Sequence, residues 1–262
     1  MSTARVEAVL NDIITTDIFR FLIVFTRMGA AAMFMPGIGG SRVPPRVKLL
    51  FALALSFLLL PVVGREISAQ PRHVGGLVLL IASEATIGVF LAMIMQAVMA
   101  ALNVAGSFIS FQTGLTNAFS FDSVAEQQSA AITTFFANLA LVVLFATDLH
   151  HLMIRAVADS YATFKPGAPL PLGEFSDVLA HTLSASFAFG IKLAAPLFAF
   201  GLIFYAGLGL LSRMVPQMQV FFVAMPLQVM GGLWMLMVAL PIMVFLFLRQ
   251  FSDALVPFLA GR

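Results

Sequence analysis

Long apolar runs, punctuated by proline and glycine, set the plan of this chain. A transmembrane helix needs about 20 mostly apolar residues. The first candidate runs from Ile13 to Met35, is interrupted by Asp17, Arg20 and Arg27, and ends at Pro36–Gly37–Ile38–Gly39–Gly40. A second, short for a span, covers about Arg46 to Leu60, opened by Pro44–Pro45 and closed by Pro61. A third runs from about Val74 to Ala105 with Glu84 as its one charge. A fourth covers about Ala125 to Ala156, a fifth Phe175 to Ser212 with Lys192 and Pro196 inside, and a sixth Val220 to Phe251, broken by Pro226 and Pro241. The pattern predicts an all-α integral membrane protein of about six long, partly broken helices.

Two stretches differ in texture. Gly106 to Asp122 mixes glycine, hydroxyl and amide residues with Phe108, Phe111, Phe119 and Phe121, and reads as an irregular loop. Lys165 to Gly173 is a proline-rich turn and the best internal boundary. It divides an N-terminal part, 1–165, from a C-terminal hairpin, 174–262. No sequence repeat is visible.

Composition sharpens the class. The chain has 262 residues, is 61% hydrophobic and 10% charged, and its mean hydropathy is +1.03; a soluble domain carries about 25% charge. With no cysteine, disulfides, thiol catalysis and cysteine zinc sites are excluded. A net charge of +2 is too small to imply nucleic-acid binding. Acidic residues near the start leave no uninterrupted core for a cleavable signal, so the first membrane helix is expected to target the chain. Lys and Arg divide almost evenly between the first two loops, so the positive-inside rule assigns no orientation.

The polar residues inside apolar runs are the candidates for function. Glu84 is costly in a membrane unless paired or hydrated; Arg27 and Lys192 are possible partners, and the sequence does not choose. In hydrocarbon, irregular backbone survives only where protein buries it or water bathes it, so 106–122 is expected to line a lumen. Its phenylalanines would seal a pore by dewetting, with Gly106 and Gly114 as bending points. The alternative is a plain extramembrane loop packed on its neighbours. Arg213, before Pro216 and Gln217, fits the negative end of a helix. The methionines are read as core filler or partner-facing surface. His150 and His151 are expected to point to different helix faces, and no metal site is assigned. No cofactor, catalytic triad or phosphate loop is found, so an enzyme is not expected.

The order and spacing of several motifs resemble one family. The run Gly207 to Phe221, with Gly209–Leu210–Leu211–Ser212–Arg213, Pro216, Gln217 and Phe221, then Pro226, resembles the C-terminal signature of FliR-type export-gate proteins of type III secretion. Arg27–Met28–Gly29 with Pro36, Val43–Pro44 and Pro61, Glu84 with Gly88, Gly106 with Phe111–Gln112–Thr113–Gly114, and Pro196 match its earlier elements in order. One departure is Thr147–Asp148–Leu149–His150–His151, where the family often has an Asn-Gly-His-like turn.

The resemblance implies a non-catalytic machine part. Such a subunit joins FliP-like and FliQ-like copies in a hetero-oligomeric, funnel-like gate in the bacterial inner membrane at the flagellar basal body. FlhB-like and FlhA-like proteins dock on the gate, and unfolded flagellar subunits pass through it. Residues 1–165 would be FliP-like and 174–262 FliQ-like. The 106–122 loop would be the pore plug, and the tip Arg213 to Phe221 a partner contact. An injectisome homologue and, from another class, a small-molecule transporter with broken helices at Pro196 and Pro226 are the alternatives; a transporter usually shows related halves.

Overall fold

The computed structural model describes residues 3–67, 71, 73–114, 126–214 and 220–259. Seven α-helices fill most of them: α1 Thr3–Phe34, α2 Pro45–Val63, α3 Val74–Gln112, α4 Glu126–Ala146, α5 Leu149–Thr163, α6 Leu172–Met214 and α7 Val220–Leu255. Short 3-10 turns follow α2 and α7. Among the described residues there is no strand, and the chain is an all-α membrane protein.

Local chemistry explains most boundaries. Proline at the first position of α2 needs no donor there and is pre-set for a helix. Pro61, expected to close α2, instead sits inside its last turn, and the helix runs to Val63. Proline cannot donate to the carbonyl four residues back. That residue, Phe57, is 74% exposed, so the loss falls on the open face. The fourth expected helix is two: α4 and α5 part at Thr147–Asp148, where Asp148 takes φ +58°. Left-handed backbone ends a helix, and Asp is one of the few side chains that tolerates it. The stretch that departs from the family's Asn-Gly-His-like turn is thus a helix break at an aspartate in this chain.

The third helix shows the largest difference. It continues through Gly106 to Gln112, so the first part of the expected loop is helical. Gly106 does not bend it. A side chain there would strike the Thr133 backbone of α4, 2.9 Å from its Cα. The missing side chain lets two helices approach, as small residues do in membranes.

Among the described residues, four helices are long and apolar enough to cross a membrane: α2, α3, α6 and most of α7. The broken pair α4–α5 would make a fifth. The first expected span, α1, is not among them. At roughly 1.5 Å per residue, α3, α6 and α7, with 39, 43 and 36 residues, are about 54–65 Å long. The hydrocarbon core is about 30 Å thick. Simple perpendicular crossings do not account for that length.

The described chain forms two compact units, each assembled from separated stretches: 1–96, 148–180 and 252–262 in the first, 97–147 and 181–251 in the second. In the first, α1 packs on α2, and Ile23, Val24, Met28, Leu91, Met153 and Tyr161 are buried. Phe90 stacks on Phe175 at 4.1 Å and meets the edge of Phe258 at 6.0 Å. In the second, Ile109, Phe136, Leu144, Leu197, Met243 and Phe247 are buried. Much apolar surface stays uncovered by the chain itself: only 17% of the apolar window of α2 and 28% of those of α6 and α7 are buried.

Candidate functional site

Polar chemistry inside this apolar chain gathers at two places, one in each unit. The first begins on α1, where Phe19, Ile23, Arg27 and Ala31 recur every fourth residue and are all buried. That spacing puts them on one helix face, so Arg27 lies in the stripe that faces the core. Glu84 has the same standing on α3, between buried Leu80 and Ile87. Both charged side chains are fully buried.

They meet each other in a bidentate pair: Arg27 Nε donates to Glu84 Oε2 at 2.7 Å, and Nη2 to Oε1 at 3.0 Å. This fork geometry is the strong form of the contact. The rest of the guanidinium is also used. Nη1 donates to Ser160 Oγ at 3.0 Å, and Nη2 to the Phe164 carbonyl at 2.8 Å. Ser160 Oγ passes its own hydrogen to the Val157 carbonyl at 2.6 Å. The cation lies over the Tyr161 ring, 3.7 Å from its centroid, a cation–π contact. The Tyr161 hydroxyl is buried with no hydrogen-bond partner among the described residues, so the ring face is what serves the node. Gly88, one turn after Glu84, makes room: a side chain there would collide with the Arg27 carbonyl and with Ala30 and Ala31.

The node fastens α1, α3 and α5 together at one register. A buried ion pair adds little net stability over a well-packed apolar substitute, yet breaking it is costly. Its plain effect is to penalise any packing in which the two charges part. Of the two candidate partners for Glu84, the structure chooses Arg27; Lys192 is exposed. Tyr161, Ser160 and the Phe164 carbonyl were not singled out by sequence. A signal existed, because the chain has two tyrosines and both sit at its polar contacts.

The second place is the end of α3. Gly114 takes φ +72°, the left-handed turn that closes a helix. Gly114 N–H donates to the Phe111 carbonyl at 3.1 Å, and Thr113 N–H to Ile109 at 2.9 Å. The Gln112 carbonyl accepts from Gln228 Nε2 of α7 at 3.0 Å, and the same nitrogen donates to the Tyr205 hydroxyl of α6 at 2.9 Å. Gln112 and Gln228 are buried. The phenylalanines expected at the loop edges divide: Phe108 packs against Phe198 with ring centroids 5.3 Å apart, while Phe111 is 59% exposed. Phe119 and Phe121 lie outside the described residues.

In the last turn of α6, Arg213 stands exposed, where the helix dipole favours a cation. Pro216 and Gln217 lie outside the described residues, as does the side chain of Phe221, which belongs to the first turn of α7. His150 and His151, expected to diverge, approach to 4.1 Å between ring centroids. With Asp148 they offer three ligand atoms within 4.8 Å of one another. Asp148 and His151 are exposed and face each other at 3.7 Å, at the positive N-terminal end of α5, which disfavours an added cation; no metal is assigned there.

Comparison with known proteins places these features in context. The family model for bacterial export proteins, family 1, matches residues 18–254. The flagellar biosynthetic protein FliR of Caulobacter vibrioides is 39% identical over 218 residues, covering 83% of this chain and 87% of that protein. FliR of Bacillus subtilis is 30% identical over 248 residues, 93% of this chain and 94% of the relative. FliR of Escherichia coli is 30% identical over 203 residues, 76% of each.

Proposed function

The chain belongs to the bacterial export proteins, family 1, and from that premise we propose that it is the subunit that completes a flagellar export gate with FliP-like and FliQ-like partners. That it is a multi-pass membrane component of flagellar export follows from its family and its apolar helices. The finer reading places it in the inner membrane at the basal body, with FlhB-like and FlhA-like proteins docked on the gate and unfolded flagellar subunits passing through. Its role is structural and gating; no catalytic step is assigned. The flagellar reading is favoured over the injectisome one because the relatives above are named as flagellar.

One observation carries the proposal: helices far longer than a bilayer is thick leave most of their apolar surface uncovered by the chain itself. Exposed apolar surface marks contacts with lipid or protein, and the helix length beyond the roughly 30 Å hydrocarbon core favours protein neighbours. In the proposed assembly, residues 1–165 stand beside FliP-like subunits and 174–262 act as a FliQ-like hairpin. The segment that follows Gly114 serves as the plug, with Phe111 exposed beside it. The tip from Arg213 to Phe221 contacts the FlhB-like protein.

Co-expression with FliP-like and FliQ-like proteins, purification in mild detergent and native mass spectrometry test the assembly. One copy of this chain in a defined hetero-oligomer is expected. A stable monomer or homodimer that ignores those partners overturns the reading and returns the transporter alternative. Replacing residues 115–122 with a Gly-Ser linker of equal length tests the plug: the intact gate should leak ions, and an unchanged ion barrier refutes the plug. Arg213→Glu should weaken co-purification of the FlhB-like protein; unchanged recovery leaves Arg213 as a helix cap alone.

A further inference from the structure

The end of α3 is held in an unusual way. A helix leaves its last carbonyls without donors, and the Gln112 carbonyl receives one from a side chain 116 residues away, Gln228. Gln228 spends its other amide hydrogen on Tyr205, so one buried side chain joins α3, α6 and α7. The backbones around it are brought close by missing side chains. A side chain at Gly201 would fall on the Gln112 amide. At Gly114 it would lie 2.8 Å from the Gln228 amide carbon, and at Gly232 3.0 Å from Thr113 Cβ. All of these residues belong to one compact unit.

We propose that Gln228 is the latch of the gate: it positions the Gln112–Gly114 turn against α6 and α7 in the sealed state, and this contact must open for export. The proposal rests on the reading of the following segment as the plug. The chemistry suits a contact that opens. The links are neutral amide, carbonyl and hydroxyl groups, so parting them strands no ion, whereas parting Arg27 from Glu84 would. The Gln112, Gln228 and Thr113 side chains seat against Gly201, Gly114 and Gly232, so parting them lifts small polar groups from glycine notches rather than from between bulky neighbours. A buried amide also cannot stay unbonded cheaply, so the closed register is well defined. Gln228 is thus a positioning residue for the seal, acting through the turn rather than on cargo.

The chain contains no cysteine, which makes a clean test available. Thr113→Cys with Gly232→Cys brings two sulfur-bearing carbons to 3.0 Å, about half an ångström inside the roughly 3.5–4.5 Å spacing of a disulfide, so a small opening of the helices admits the bridge. In the assembled gate, oxidation with diamide should bridge α3 to α7, stop export and leave the ion barrier intact. Dithiothreitol should then restore export in the same sample, which a merely damaged fold would not do. Separately, Gln228→Leu should leave the subunit composition by native mass spectrometry unchanged and raise ion leak about tenfold, the scale of losing two buried hydrogen bonds. Undiminished export through the bridged gate, or an unchanged barrier with Gln228→Leu, overturns the latch. If the 115–122 replacement still leaks in that case, the plug reading survives alone. If that replacement does not leak, both fall together.

Discussion

Substituting Glu84 by Gln tests the charge node most directly. The change keeps the shape and removes the charge, leaving the Arg27 cation fully buried. Arginine cannot shed its proton inside a protein, so the charge must be tolerated or the packing must open. Breaking a buried pair typically costs about 3–5 kcal/mol. The remaining partners, Ser160, the Phe164 carbonyl and the Tyr161 ring, offset part of this; a desolvated cation–π contact is worth about 2 kcal/mol. The expected loss is therefore about 3 kcal/mol. Arg27→Met with Glu84→Leu removes both charges into an apolar setting and should cost under about 1 kcal/mol. Unfolding of the detergent-purified protein with rising dodecyl sulfate, followed by far-UV circular dichroism, reads both. A Glu84→Gln loss below about 1 kcal/mol, or a double variant as unstable as the two single losses added, refutes the account of a paired charge.

Further substitutions separate the parts of this reading. Tyr161→Phe keeps the ring under Arg27 and removes an orphaned hydroxyl, so the unfolding midpoint should hold or rise, by up to about 1–3 kcal/mol of stability. Gly88→Val forces α3 away from the α1 backbone and should cost about 1–3 kcal/mol, as overpacking does, in the same unfolding assay. Asp148→Gly relieves a left-handed residue and should be neutral or stabilising, while Asp148→Val should lose about 1–2 kcal/mol, compared by thermal melting. Lys192→Met, at an exposed position outside the node, should stay within about 0.5 kcal/mol of the parent.

Sequence made the class, the helices and the charged pair readable, because each rests on local rules or on scarcity. Glu84 stood out as the lone charge of its run, and Arg27 was one of its two named partners. Choosing between Arg27 and Lys192 needed the fold, since the register of α1 against α3 is set by the close approach at Gly88. The extent of α3 was misjudged for a related reason. Gly106 and Ser107 lower helix propensity, but packing on α4 overrides propensity where a missing side chain admits a neighbour. The break at Asp148 was signalled only by the resemblance, at Thr147–His151, because aspartate in a left-handed turn carries no motif of its own. The contact of Gln228 with Gln112 was unreadable, since it joins residues 116 apart through one carbonyl, and a backbone acceptor has no sequence signal. The two tyrosines offered a clue, as a hydroxylated ring in so apolar a chain points to a polar contact nearby.

The two polar places differ in a way that bears on how such a subunit works. In the first unit the fastening is ionic, bidentate and fully enclosed, and its opening would leave a guanidinium in apolar surroundings. A contact of that kind tolerates no alternative packing, which suits the helices that set the subunit's fixed frame. In the second unit the fastening is neutral, uses two single hydrogen bonds, and seats polar side chains against glycines. Parting it would cost those bonds and the packing of side chains against the glycines, but would strand no ion. Under the proposed latch, the ionic node belongs to the fixed frame and the Gln228 contact to the part that opens. A fastening of neutral amides can part without stranding a charge, which the ionic node cannot.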